Sequence, residues 1–401
     1  MPDSIKVPRQ RPLWPVFVMP ALVIVAAIGW SAFWFYAASQ VDHQVDAWRA
    51  REAKAGRVYD CGKRSVAGFP FRLEVTCEDA SVTLVSQTAQ GMVDGAADAP
   101  ITARLGKILV IGQVYTPGLL IAEFTAPATL APRGQPPAMQ VSWKTARSSV
   151  AGLPGIPQRV ALVFDQPAID RLNGGVAAPL ARAAHAEFHT QLTAVSTADH
   201  PAIDVAVDLT QASVQDIHPA LAQPFDALIG ARVTGLKDFS PKPWPVRFRE
   251  IQAASGKIMI ERARIQQGDV IAVAKGALGL TAGGNLDGEL QMTVAGFEKL
   301  VPLLGIEALL EEGVPQATLD RVAPGIKAGD VNSLLGSLDK MIPGLGKVVR
   351  QNAGAGIAAV VNSLGTAAEL EGKPARSFPL RFVDGAVLLG PIKVGQVPPL
   401  F

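Results

Sequence analysis

Cysteine is scarce in this chain: Cys61 and Cys77 are the only two among 401 residues, and no Cys-x-x-Cys pair exists. Charge is sparse as well. Only 18% of residues are charged, the formal net charge is +2, and no Lys/Arg-rich run occurs, so the basic footprint of a nucleic-acid-binding surface is missing. A hydrophobic share of 49% beside so little charge argues against disorder. The 345 residues from Arg57 to Phe401 are enough for two average domains or one extended one. Catalytic signatures are missing too: there is no Gly-x-Ser-x-Gly elbow, no His-Glu-x-x-His and no phosphate-binding loop. Gly344-Leu345-Gly346-Lys347 lacks both the spacing and the hydroxyl residue of such a loop. The expectation is a protein that is not an enzyme, with no cofactor and no bound metal.

Where charge is absent altogether, the sequence is most informative. Arg11 and Asp42 bracket thirty uncharged residues, Pro12 to Val41. About 20 apolar residues suffice to cross a bilayer as a helix, so 13–38 is expected to span a membrane, with 1–12 as a short cytoplasmic tail. A cleaved secretory signal is the alternative, and it fits poorly. Signal cores are shorter, whereas this run closes with Trp30, Phe33, Trp34, Phe35 and Tyr36, an interfacial aromatic belt. Pro15 and Pro20 fall near the first turns, where a missing N–H costs least. Helical spacing continues through Val41, Val45 and Trp48, which form one apolar stripe of a stalk over 39–56.

Basic residues flank the span on both sides, so orientation has to come from the cysteines. Phe69, Phe71, Leu73 and Val75 alternate with Pro70, Arg72, Glu74 and Thr76 as in a half-buried strand. Folding that segment back on Val58–Arg64 about Gly68 and Phe69 sets Cys61 opposite Cys77 at the open end of a hairpin. A disulfide there closes a loop for which the chain-entropy model gives about 3 kcal/mol. Two reduced, buried thiols are the alternative. With the disulfide, the body lies in an oxidising compartment, a bacterial periplasm, with the N-terminus in the cytoplasm.

Most of the body reads as strands: 80–86, 107–115, 119–124, 139–144, 159–164, 184–192 and 203–209, then 257–265, 270–280 and 286–294. Gly268-Asp269 and Gly283-Gly284-Asn285 mark connections of a meander. From about 297 to 370 the period turns helical, and Asp384-Gly385 then centres a closing hairpin over 378–393. The fold class is therefore mainly β with α: a membrane helix followed by an extended, curved antiparallel sheet with helices in the last third. Phe69-Pro70-Phe71-Arg72-Leu73, Trp244-Pro245-Val246-Arg247-Phe248 and Phe378-Pro379-Leu380-Arg381-Phe382 share one order of residue types. This echo suggests two β-rich regions, 57–240 and 241–401.

Isolated chemistry-bearing groups carry little weight. His185 and His189, with Glu187, His200 or Asp204 nearby, make the best metal candidate, but the alternation around them favours a strand with a solvated polar face. Ser337 and Lys340 fit Ser-x-x-Lys without its companion motifs, and Glu311 with Glu312 reads as a helix-end pair.

The N-terminal span, the Tyr59-Asp60-Cys61 and Gly68-Phe69-Pro70-Phe71-Arg72 stretch ending at Cys77, and the closing Phe378–Phe382 hairpin with Gly390-Pro391 resemble the bacterial family called domain of unknown function 2125 (DUF2125). That family implies no activity and supplies no catalytic residue. The Gly-punctuated meander also resembles the sheets of AsmA-like envelope proteins, which would imply a curved sheet with an apolar groove, anchored in the inner membrane and serving envelope lipid homeostasis. Two functions compete on these grounds. In one, the groove holds a lipid or another apolar ligand, lined by Phe71, Leu73 and Val75 with Leu109 and Ile111 of a later strand. In the other, the body is a structural or assembly factor that binds other envelope proteins.

Overall fold

The computed structural model describes residues 14–88, 100–197, 199–216, 219–239, 242–296, 365–389 and 392–401. The uncharged run becomes α1 (Trp14–Lys54), one unbroken helix of 41 residues with Pro20 inside it. At 1.5 Å per residue it is about 60 Å long, twice the hydrocarbon thickness of a bilayer. Span and stalk are thus one rod, long and apolar enough to cross a membrane. Arg51 and Lys54 in its last turn complement the helix dipole, and Gly56 at φ 78° ends it.

The remaining described elements are β1 (Arg57–Ala67), β2 (Arg72–Thr88), β3 (Pro100–Gln113), β4 (Thr116–Pro132), β5 (Met139–Ser142), β6 (Thr145–Ala151), β7 (Arg159–Asp165), β8 (Ala168–Asn173), β9 (Val176–Arg182), β10 (His185–Leu192), β11 (Ile203–Val214), α2 (Pro219–Ala222), β12 (Phe225–Val233), α3 (Trp244–Ala253), β13 (Ile258–Gln267), β14 (Val270–Leu280), β15 (Leu286–Ala295), β16 (Thr366–Leu370), β17 (Lys373–Val383), β18 (Ala386–Leu389) and β19 (Ile392–Gln396). All strands join one antiparallel sheet. Its main path runs β1-β2-β3-β4-β6-β7-β10-β11-β12-β13-β14-β15-β17-β18-β19. A parallel lane β4-β5-β8-β9-β11 lies alongside β6, β7 and β10, and β16 pairs with β17. The boundary placed at 240 falls in the β12–β13 connection. Those two strands pair along their length, so the sheet is continuous across it.

A line of irregularities crosses the first half of the sheet at one level. It starts between the pairs Cys61↔Ala80 and Lys63↔Glu78, where Asp79 has φ 55°. It continues through Gly106, between Glu78↔Lys107 and Ala80↔Leu105, and through the register shift that β3 and β4 share there. Trp143-Lys144 then separates β5 from β6, Gln166-Pro167 separates β7 from β8, and Ala183-Ala184 separates β9 from β10. The line ends at Gln211, φ 50°, whose N–H donates to the Asp226 carboxylate at 2.7 Å instead of joining the ladder. Bulges bend strands and reverse the alternation of their side chains. On β1 the better-covered positions are 57, 59 and 61 before the line and 64 and 66 after it. Small buried residues flank the crease: Ala80, Ala146, Ala168, Ala186 and Ala212.

The second half packs differently. Phe378, 1% exposed, is buried with Val270 and Val294, and Phe382 with Leu278 and Leu290. Asp384 and Gly385, at φ 49° and 79°, make the left-handed two-residue turn that the Asp-Gly pair calls for. The closing element is wider than a hairpin over 378–393, since β17 begins at Lys373 and β19 adds a third strand after Gly390-Pro391. Most of the helical expectation for 297–370 lies outside the described residues. Its end is corrected: 366–370 is strand, turning at Glu371-Gly372 onto β17, because two positive-φ residues there close a tight β-turn. The three copies of the five-residue echo also part company. The first is a turn running into β2, the second opens α3, and the third lies inside β17. Pro245, in the first turn of α3, suits a helix start as well as a strand start, so the shared order carried no fold.

Candidate functional site: an apolar groove under the N-terminal helix

The second half of α1 does not stand clear of the body. Its aromatic belt is bonded to the β1–β2 turn: Trp30 Nε1 donates to the Pro70 carbonyl and Trp34 Nε1 to the Arg72 carbonyl, each at 2.9 Å. Trp34, 5% exposed, meets the Phe69 ring edge-on at 5.4 Å, and Phe35 stacks on Phe69 at 5.7 Å. Farther along, Arg64 reaches Asp42 at 2.7 Å and Asp46 at 2.9 Å, and Arg49 donates to the Tyr59 carbonyl at 3.0 Å and pairs with Asp60 at 3.1 Å. The Arg64 hydrogen bond holds the Asp46 carboxyl below its usual range. These partly exposed pairs fix the helix angle more than they stabilise the fold.

Between these two fastenings lies a groove of about 1120 Å³. One wall is a helical stripe, Trp34, Ala37, Val41, Val45 and Trp48, and the other is the inner face of β1–β4, with Leu73, Val75, Val110 and Leu120 prominent. Trp143, on the crease, closes part of its floor and donates its indole N–H to the Phe124 carbonyl at 2.9 Å. Tyr59 lines the far end against Trp48, with ring centroids 4.6 Å apart, and burial pushes its phenol pKa up. From Leu73 to Val82 along β2 the groove extends about 30 Å. Its size and apolar walls suit a long hydrophobic molecule rather than a small polar one.

The expected lining residues separate cleanly. Leu73 and Val75 are in the groove. Phe71 is exposed beside Trp30, with ring centroids 6.5 Å apart, outside the groove at the belt. On β3 the groove takes Ile108 and Val110, whereas Leu109 and Ile111 occupy the alternate positions of that strand. The register explains this: Leu73 pairs with Gly112 and Val75 with Val110, and paired residues share a face. Val41, Val45 and Trp48 were legible as an apolar stripe, but nothing in the sequence aimed that stripe at the sheet.

Cys61 and Cys77 form a disulfide with Cα atoms 5.7 Å apart. They are not directly opposed at the open end of the hairpin. Cys61 pairs with Ala80 and Cys77 with Arg64, three residues off register in mid-hairpin. Across a regular ladder that offset would send the two side chains to opposite faces. The crease at Gly62 and Asp79 reverses the phase and brings both sulfurs to the groove side.

The histidines sit apart from the groove, on β10. His185 Nδ1 bonds the Asp165 carboxylate at 2.8 Å and its Nε2 bonds Glu187 at 2.7 Å, while His189 Nε2 bonds the other Glu187 oxygen at 2.6 Å. Hydrogen bonds to Glu187 and Asp165 raise the His185 pKa above its usual 6.5. A ring with both nitrogens donating has no lone pair for a metal. Asp204 instead pairs with Arg232 at 2.7 Å. Among the described residues no group of three or more His, Cys, Asp or Glu is arranged to hold a metal ion. Ser337, Lys340, Glu311, Glu312 and the Gly344–Lys347 stretch lie outside the described residues.

No curated protein matches the sequence. The family described as "Uncharacterized protein conserved in bacteria (DUF2125)" matches residues 34–398, from Trp34 at the groove's helical wall almost to the C-terminus. The chain therefore belongs to that DUF2125 family.

Proposed function

We propose that this protein is anchored in the bacterial inner membrane by α1, with its body in the periplasm, and that it holds a lipid or another long apolar molecule in the groove beneath α1 without catalysing a reaction. One observation carries this reading: the groove is walled by the continuation of the membrane helix itself and begins at the aromatic belt, so an apolar path leads from interface depth into the body. The Cys61–Cys77 disulfide supports the oxidising side of the membrane for the body. Groove-facing positions are Leu73, Val75, Val110 and Leu120, with Trp34, Val41 and Val45 opposite.

The test uses the full chain, because a body trimmed at Arg57 would lose the helical wall. Cells fed a fatty acid carrying a photoreactive tail should yield lipid adducts on β2–β4 peptides, and Val110→Glu with Leu120→Glu should remove most of them. Adducts confined to residues 14–30, or covalent capture of another envelope protein at the groove instead of lipid, would overturn the reading and favour an assembly factor.

A further inference from the structure

The register of the sheet sorts its connections onto two edges. The edge bonded to the α1 belt carries the β1–β2 turn, and by strand direction it also carries the β3–β4, β6–β7, β10–β11 and β12–β13 connections. Each of these five presents an exposed, bulky apolar side chain: Phe69 and Phe71, Tyr115, Ile156, Val195, and Trp244 with Val246. Described connections on the opposite edge are of another kind, with Arg133-Gly134-Gln135, Gly174-Gly175, Gly268-Asp269 and Glu371-Gly372, and only Val176 beside them is bulky, apolar and exposed. Single exposed apolar residues are ordinary on a protein surface, but five consecutive connections of one edge that each carry one, from β1–β2 to β12–β13, are not; the β14–β15 and β17–β18 connections farther along that edge, 281–285 and Asp384-Gly385, carry none. Successive hairpins are two strand spacings apart, so the row is about 40 Å long.

We propose that this edge rests in the headgroup layer of the bilayer that α1 enters, seating the body on the membrane along the row from Phe69 to Trp244. The occupant follows from continuity: the indoles of Trp30 and Trp34, at the depth where a membrane belt lies, are hydrogen-bonded to the backbone of the first turn in the row. The far end is presented firmly. Trp244 stacks on Phe248 at 5.8 Å in α3, and α3 is tied to the segment that follows β12 by Glu250, which accepts from the Lys237 backbone N–H, and by Arg247, which donates to the Asp238 carbonyl at 2.8 Å. An aromatic at the head of a helix lying along an interface suits that position. Seated this way, the membrane-side end of the groove, at Phe33, Leu73 and Leu153, opens at lipid headgroups instead of water.

This inference rests on α1 as an anchor and not on any ligand of the groove. The native cysteines are tied to each other, so one introduced cysteine can carry a nitroxide. Full-length chains labelled at Ala27→Cys, Ile156→Cys, Val195→Cys or Val176→Cys are placed one per nanodisc of phosphatidylcholine and phosphatidylglycerol. Power saturation then compares access to oxygen, which partitions into lipid, with access to a water-soluble nickel chelate. Labels at 156 and 195 should show a several-fold higher oxygen-to-nickel ratio than the label at 176, approaching the label at 27. Equal ratios at 156, 195 and 176 beside a lipid-like 27 would overturn the seated edge alone. A water-like label at 27 would overturn the anchor and the edge together.

Discussion

Two parts of one sheet use the same kind of strand to opposite ends. In β14, β15 and β17 the inner face is filled by Phe378 and Phe382, each set among aliphatic residues of the neighbouring strands. In β1–β4 the equivalent face carries Leu73, Val75, Ile108 and Val110, yet it looks across a groove at the second half of a helix long and apolar enough to cross a membrane. Apolar alternation therefore determines which side chains share a face but not whether that face closes. Closure depends on what the rest of the chain lays over it, and here a helix pinned at its two ends covers the face without filling it.

The contrast breaks most sharply by truncation. Phe378→Ala should cost about 3–5 kcal/mol, the range for a fully buried aromatic, read as a fall in the denaturant midpoint of the full chain. Leu73→Ala, at a half-buried groove wall, should cost only about 1 kcal/mol by lost apolar area. Comparable losses at the two positions would mean that the groove is a packed core. Next in size is the disulfide. Replacing Cys61 and Cys77 by serine should remove about 3 kcal/mol in the chain-entropy estimate, and it should loosen β1–β2 and the helix wall first. Hydrogen exchange checks this: protection should fall around Val58–Thr83 while β14–β17 keep theirs.

How far the sequence led follows the same division. The long apolar helix, the antiparallel meander over Ile258–Ala295, the Asp384-Gly385 turn and the disulfide all rest on local patterns, and those patterns held. The crease did not announce itself. Its members are single residues in unlike settings, Asp79, Gly106, Gln166 and Gln211, and only the register of eleven strands aligns them. Strict alternation carried across that line assigns wrong faces, and without the register of β3 against β2 the choice between Leu109 and Val110 was open. The groove suffered most, because one of its walls is a helix whose contact with the sheet is non-local.

A smaller effect sharpens the reading of the crease. Gln211 holds φ 50°, a conformation that costs a side-chain-bearing residue about 1–2 kcal/mol and glycine almost nothing. Gln211→Gly should accordingly be neutral or raise the thermal midpoint slightly. Val207→Gly, four residues earlier in regular ladder, should lower it, since it loses both packing and strand preference. If the two substitutions destabilise alike, the left-handed residue is not what sets the bend.

The smallest expected effect concerns what fastens the crease. Asp165 and His185 are the last and first residues of β7 and β10 beside it, and Thr145, first in β6, donates to Asp165 as well. Because the folded pKa of His185 lies above the unfolded value, its contribution is complete below about 6.5 and is lost as pH rises through the folded pKa. Hydrogen bonds to His185 and His189 lower the Glu187 pKa, so the carboxylate's share is present above its unfolded value and is lost as pH falls through the folded one. The cluster should thus help most between the acid range and neutrality. The thermal midpoint of the wild-type chain should fall slightly between about pH 6 and about pH 9, and His185→Gln should flatten that slope while leaving the Phe378 core untouched. A slope that survives the substitution would place the titration elsewhere. A slope that vanishes, with exchange protection lost at β7 and β10 and kept at β14–β17, ties it to the crease: in the first half of the sheet polar side chains hold a bend, where in the second half buried rings hold a core.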